Sequence, residues 1–198
     1  CTACTWACAQ KTVHYEPTWE SLDSHEMPEW YDDAKIGLSM HWGVYSVPCW
    51  APRAGEISYA EWYGFNMKNP DNPTFLYHKE NYGSKTYDEF IPEWKAENYD
   101  PEQWAIFAKK MGARYMFITS KHHDGFTLWP NKTVNQTWGF PWNAMDAGPK
   151  RDLLGDLFKA VRKTSVHAGM YYSLYEWFNP LWKGDPKKYA TDHVWPQM

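Results

Sequence analysis

Twice along this chain a capped helix runs almost directly into a short apolar strand, and that repeated order is what most restricts the fold. The first helix is predicted over residues 100–111. Asp100 is suited to cap it, Pro101 to fill its first position and Gln103 to complete a capping-box-like start. Trp104, Phe107, Ala108 and Met111 recur at i, i+3, i+4 and i+7, which predicts a single buried face, and Gly112 marks a stop. A strand over 114–120 follows. The second helix starts at Asp152, buries Leu153, Leu154, Leu157, Phe158 and Val161, and carries Lys159, Arg162 and Lys163 toward its negative end. It leads into a strand over 168–174. With an earlier strand over 36–41, these read as parallel βα units, whose strands are buried on both faces and so are continuously apolar.

The expected fold class is therefore α/β. Three such units fall short of a closed barrel, which needs eight strands in about 250 residues. An open sheet of three would also leave an apolar edge. The sequence is accordingly expected to be the first three βα units of a partial TIM-like (β/α) barrel, truncated at both ends, with residues 10–198 belonging to the barrel and residues 1–9 a remnant of a signal peptide.

All three strands end on polar or aromatic residues: His41-Trp42-Gly43, then His122-His123-Asp124-Gly125, then Tyr171-Tyr172 followed by Glu176-Trp177. The C-terminal ends of barrel strands are where such a fold keeps its chemistry, so one shared pocket is expected. The long connections over 42–99 and 121–150 are expected to shape it, with short helices near 59–65 and 74–82.

Composition narrows the partners. With 20 basic and 24 acidic residues the net charge is only -4, and no basic run suggests nucleic acid. No stretch approaches the ~18 apolar residues of a membrane span. Aromatic residues make 19% of the chain, and several, including Trp42, Trp50, Trp62, Trp129, Trp138 and Trp142, sit in loop-like segments. Most are expected to pin loops to the barrel, and a few to offer flat apolar platforms to sugar rings. Cys1, Cys4 and Cys8 lie in an uncharged start that ends Ala7-Cys8-Ala9, small-x-small as a signal peptidase prefers. Cleavage after Ala9 leaves Cys49 alone. Two sequons, at Asn131 and Asn135, fall in what reads as a polar loop and add to the expectation of a secretory-pathway protein, lysosomal or extracellular.

These segments resemble the retaining α-L-fucosidase family of glycoside hydrolases. The matching pieces are Lys35-Ile36-Gly37 with His41-Trp42-Gly43-Val44-Tyr45, Tyr59-Ala60-Glu61-Trp62-Tyr63, Lys121-His122-His123-Asp124-Gly125-Phe126, Gly148-Pro149-Lys150-Arg151-Asp152-Leu153, and Tyr171-Tyr172-Ser173-Leu174. The resemblance implies a TIM-like catalytic barrel that removes terminal L-fucose from fucosylated glycans with retention, and it requires no cofactor. It places His41, Glu61, Trp62, His122, His123 and Tyr171 in the fucose pocket. It also puts the nucleophilic Asp and the acid/base beyond residue 198, so no catalytic residue is assigned within this chain. Neutral imidazoles suit hydroxyls because each can donate at one nitrogen and accept at the other.

Other readings compete. His41, His122, His123 and a carboxylate have the makings of a zinc set, as in a metal-dependent barrel hydrolase, but adjacent histidines on an extended strand point opposite ways, so no metal is assigned. A noncatalytic fucose-binding homologue would keep the pocket and lack the carboxylates. Asp124 reads first as a turn residue and Asp152 as a cap. Lys150 and Arg151 are expected to brace loops and Glu176 to lie at the pocket rim. His14, His25, His78, His167 and His193 receive no role. Oligomeric state is left open, a homo-oligomer included.

Overall fold

The computed structural model describes residues 14–53 and 59–198; the expected signal-peptide remnant, with Cys1, Cys4 and Cys8, lies outside them. The chain divides into two compact units, Cys1–Lys35 and Ile36–Met198. The described part of the first holds two single-turn helices, α1 (Trp19–Asp23) and α2 (Glu29–Asp33), the former capped by the Thr18 hydroxyl, which accepts from the Ser21 amide.

The second unit is built on a parallel sheet in the order β1 (Gly37–Met40), β2 (Tyr115–Lys121), β3 (His167–Tyr172). The expected strands are present and parallel. Between β1 and β2 the long connection folds into 3-10 turns at Val44–Ser46, Ala60–Trp62 and Asp88–Glu93, and helices α3 (Tyr63–Asn66), α4 (Pro73–Tyr82) and α5 (Pro101–Lys110). Asn72 starts α4 as Asp100 starts α5: each side chain accepts from amides of the first turn, Asp100 from Glu102 and Gln103 at 3.0 Å. Between β2 and β3 come α6 (Lys132–Trp138) and α7 (Leu153–Val161), with the Asp152 carboxylate on the Gly155 amide at 2.9 Å. Beyond β3 lie α8 (Pro180–Gly184) and a wide-turned π segment, Tyr189–Val194.

The core forms where α5 and α7 pack together beside the sheet: Ala105 and Ala108 meet Leu153, Leu157, Ala160 and Val161, with Met116 and Ile118 of β2 in the same cluster. The apolar stripe of α7 faces inward as expected. That of α5 is turned from the expected phase. Small alanines let α5 approach α7 closely, which leaves Phe107 58% and Met111 47% exposed. The stretch expected to be a polar loop carrying both sequons is partly helical, because Asn131 caps α6 through its side-chain oxygen and Val134 anchors the helix in the core.

The pairing of β2 with β3 slips at its end. Thr119 stands opposite Tyr171 but Lys121 opposite Tyr172, so Ser120 is an extra residue; its hydroxyl donates to the Tyr171 carbonyl at 2.8 Å. Such bulges re-aim the side chains that follow.

Each carboxylate cap satisfies amides that have no partner within the helix. Asp100→Ala and Asp152→Ala are each expected to lower stability by about 1 kcal/mol, measured by denaturant unfolding. Asp192→Ala, an exposed change outside both helix starts, is expected to be near neutral.

Candidate functional site

The C-terminal ends of β1 and β2 bring the predicted imidazoles together. The His41 and His122 rings lie 5.8 Å apart between centroids, and His122 and His123 only 4.4 Å. Adjacent histidines on a strand would diverge, but β2 ends at Lys121 and the pair sits in a turn closed by Gly125, whose amide donates to the His122 carbonyl at 3.0 Å. The expectation of opposed rings is thereby corrected. Trp62 stands edge-on to His123 at 5.7 Å. Trp177 touches His122, His123 and Trp62 at 5.6, 5.3 and 5.0 Å, and Tyr45 touches His122 at 5.6 Å. Glu61 lies close enough to Tyr45 for its charge to add to the chief effect, burial, in raising that phenol. Tyr171 shares none of these ring contacts: its side chain projects from β3 and is 41% exposed.

Burial disfavours the charged form of His122 and His123. The His122 imidazole, 5% exposed, is pushed down to about 3, chiefly by desolvation and further by His123 and His41. His123 is shifted down as well, burial again leading. Two uncharged rings framed by indoles and a phenol make a surface suited to hydroxyl groups and apolar C–H faces rather than to ions. Among the described residues no three His, Cys, Asp or Glu side chains gather as a metal-ligand set.

The carboxylates behind the histidines are committed elsewhere. Asp124 accepts from the Tyr87 hydroxyl at 2.8 Å and the Phe126 amide at 3.0 Å, and burial raises it to about 6. It closes the turn, as its place before Gly125 suggested. Glu176 is not at a rim: it is fully buried, accepting from Lys121 Nζ at 2.5 Å, His193 Nε2 at 2.8 Å and Asn179 Nδ2 at 2.8 Å. Burial alone would raise its pKa. The hydrogen bond from His193 and the charge of Lys121 outweigh burial and hold it at about 2. Lys121 and His193 are also enclosed, the lysine over the Tyr172 ring at 4.2 Å. Gly125 has φ +76°, and a Cβ there would come within 2.9 Å of the Glu176 carboxylate.

Sequence reasoning missed the work of Ser173, Tyr175 and His193, and gave His78 nothing. His78 in fact ties Tyr63 to the Lys85 carbonyl, at 2.9 and 2.8 Å. Only the aromatic run Tyr171–Trp177 hinted at the first two. Of the loop tryptophans, Trp62 reaches the imidazoles, while Trp42 packs among Trp94, Tyr99 and Trp104, Trp50 stacks on Tyr77, and Trp138 stacks on Trp142.

Removing Glu176 strands a buried ammonium. Glu176→Ala is expected to cost about 3–5 kcal/mol, read by denaturant unfolding. A carboxyl held low in the folded state stabilises above its ordinary value of about 4.5, and that contribution fades as pH falls from there toward about 2. The wild type is therefore expected to lose stability across that window, and Glu176→Gln to show a shallower loss.

Comparison with known proteins gives one answer. The family model described as Alpha-L-fucosidase matches residues 2–197. An α-L-fucosidase of Dictyostelium discoideum is 41% identical over 88% of this chain and 37% of its own length, and human tissue α-L-fucosidase 40% identical over 93% and 38%. Among solved structures, Thermotoga maritima α-fucosidase in complex with fucose superposes with a TM-score of 0.76 at 44% identity, covering 83% of this chain and 39% of its own. An α-L-fucosidase from Bacteroides thetaiotaomicron gives 0.60 at 29%, covering 78% and 32%. The chain thus spans well under half the length of the relatives it matches.

Proposed function

The chain belongs to the α-L-fucosidase family, and from that premise we propose that the protein is an exo-acting α-L-fucosidase, releasing terminal L-fucosyl residues of glycoproteins and glycolipids by a retaining double displacement. The observation that carries this reading is the meeting of His41, His122 and His123, with Trp62 against His123, at the ends of two parallel strands. The sheet belongs, in this reading, to a TIM-like barrel, and its site is at the face where barrel enzymes keep theirs.

The residues divide the recognition of a deoxy sugar between them. The imidazoles of His41, His122 and His123 exchange hydrogen bonds with hydroxyls, and Glu61 accepts from one with charge-assisted strength. The Trp62 indole packs on the apolar ring face or methyl group. Tyr171 meets the sugar from β3. Such a site rejects analogues lacking a hydroxyl, whose absence leaves its own polar groups unpaired. Retention needs two carboxyl groups about 5–5.5 Å apart. Asp124 and Glu176 are sealed by their own partners, so neither fills those roles, and the family resemblance implies a nucleophile and acid/base outside the residues described.

In full-length protein, His41→Ala and His123→Ala are each expected to lower kcat/KM on an aryl α-L-fucoside by about 10- to 100-fold, the worth of a lost hydrogen bond to substrate. His14→Ala, at an exposed position, is expected to leave it unchanged. Equal effects of all three would remove the pocket assignment.

The same reading places the protein in the secretory pathway, lysosomal or extracellular; among the described residues no helix is long and apolar enough to cross a membrane. The two sequons are then unequal. Asn131 is 6% exposed with its amide nitrogen enclosed, whereas Asn135 is half-buried and donates to the exposed Asp146 at 2.7 Å. Glycopeptide mass spectrometry is expected to find glycan on Asn135 and none on Asn131.

A further inference from the structure

The hydrogen bonds behind His123 fix which of its nitrogens carries the proton. His123 Nδ1 lies 2.6 Å from the Ser173 hydroxyl oxygen, which is itself 2.6 Å from the Tyr175 carbonyl and accepts from the Tyr175 amide at 3.2 Å. A serine hydroxyl has one proton to give, and a carbonyl can only accept. Were that proton turned toward Nδ1, the Ser173 and Tyr175 oxygens would face each other lone pair to lone pair at 2.6 Å. The proton therefore goes to the carbonyl, and the Ser173 oxygen accepts from Nδ1–H. In the neutral ring this leaves Nε2 bare. The Tyr175 backbone also hydrogen-bonds the ring, which is half-buried beside Trp62 and His122.

We propose that Ser173 is a positioning residue that locks His123 in the Nδ1–H tautomer, so that the site presents a bare imidazole nitrogen and selects a sugar hydroxyl that donates its proton to it. The proposal rests on the fucosidase reading for the identity of the sugar but not for the tautomer. Ser173 suits the task because it is buried and rigidly tied: it directly follows β3, its amide donates to the Lys121 carbonyl at 3.0 Å, and the Trp177 amide closes the loop onto the His123 carbonyl at 2.9 Å. The same short loop thus fixes the ring's tautomer and the backbone that carries it.

The test is long-range 1H–15N correlation spectroscopy on full-length protein with 15N-labelled histidine rings, at a pH where His123 is neutral. The His123 signals are assigned by their loss in His123→Gln. The expected wild-type pattern is a protonated Nδ1 and an unprotonated Nε2. Ser173→Ala is expected to shift the ring to a mixed or Nε2–H pattern and to lower kcat/KM on an aryl α-L-fucoside by about tenfold, and Ser173→Thr, which keeps the hydroxyl, to return both toward wild type. A wild-type ring protonated at Nε2, or a Ser173→Ala ring still wholly Nδ1–H, overturns the proposal whatever the variants do to activity. A wild type with the expected tautomer and no action on fucosides instead overturns the functional reading and leaves the tautomer assignment standing.

Discussion

Three ionisable side chains with no solvent exposure, Lys121, Glu176 and His193, meet at the end of the central strand, and the placement of everything functional depends on them. Taking such groups out of water costs several kcal/mol each, which their mutual attraction offsets only if geometry and additional hydrogen bonds are good. Here Asn179 completes the carboxylate's coordination, Thr137 contacts the far nitrogen of His193 at 2.8 Å, and the Tyr172 ring lies under the ammonium. An apolar plug of the same volume could fill this space as stably. It could not tie β2, the loop after β3, α6 and the π segment to one point in one arrangement, which directional bonds to a single carboxylate do.

That anchoring explains the character of the site in front of it. Lys121 precedes the histidine pair and Glu176 precedes Trp177, so fixing the two charged residues fixes the imidazoles and the indole that wedges against them. The charge stays behind the turn, balanced within the interior, while the face toward a ligand is made of neutral rings. Desolvation that would be a burden for a charged ligand group is an advantage for hydroxyls, whose hydrogen bonds strengthen as water is excluded.

Much of this was legible in the sequence because it rests on local rules. The strands announced themselves as apolar runs, and α5 and α7 by carboxylate caps before a helical stripe. The convergence of His41 with His122 and His123 followed from parallel strands sharing one end. What escaped depended on tertiary contact. Nothing near Glu176 distinguishes a rim carboxylate from a buried one until Lys121, 55 positions earlier, arrives beside it. His193 and Ser173 are ordinary residues made important by what they touch. The phase of α5 was misread because two alanines govern its approach to α7, while periodicity gives large side chains the greater weight. The paired imidazoles contradicted the strand rule because β2 ends at Lys121 and the pair lies in the turn beyond it.

The slip at Ser120 has a consequence for how such chains can vary. Because β2 spends two residues where β3 spends one, every side chain past that point is out of step with the alternation before it. That single surplus residue cannot be dropped without cost. Descent with its loss would turn the ammonium away from the Glu176 carboxylate and scatter the two rings that follow, so that the buried charge and the ring cluster would be lost by the same deletion.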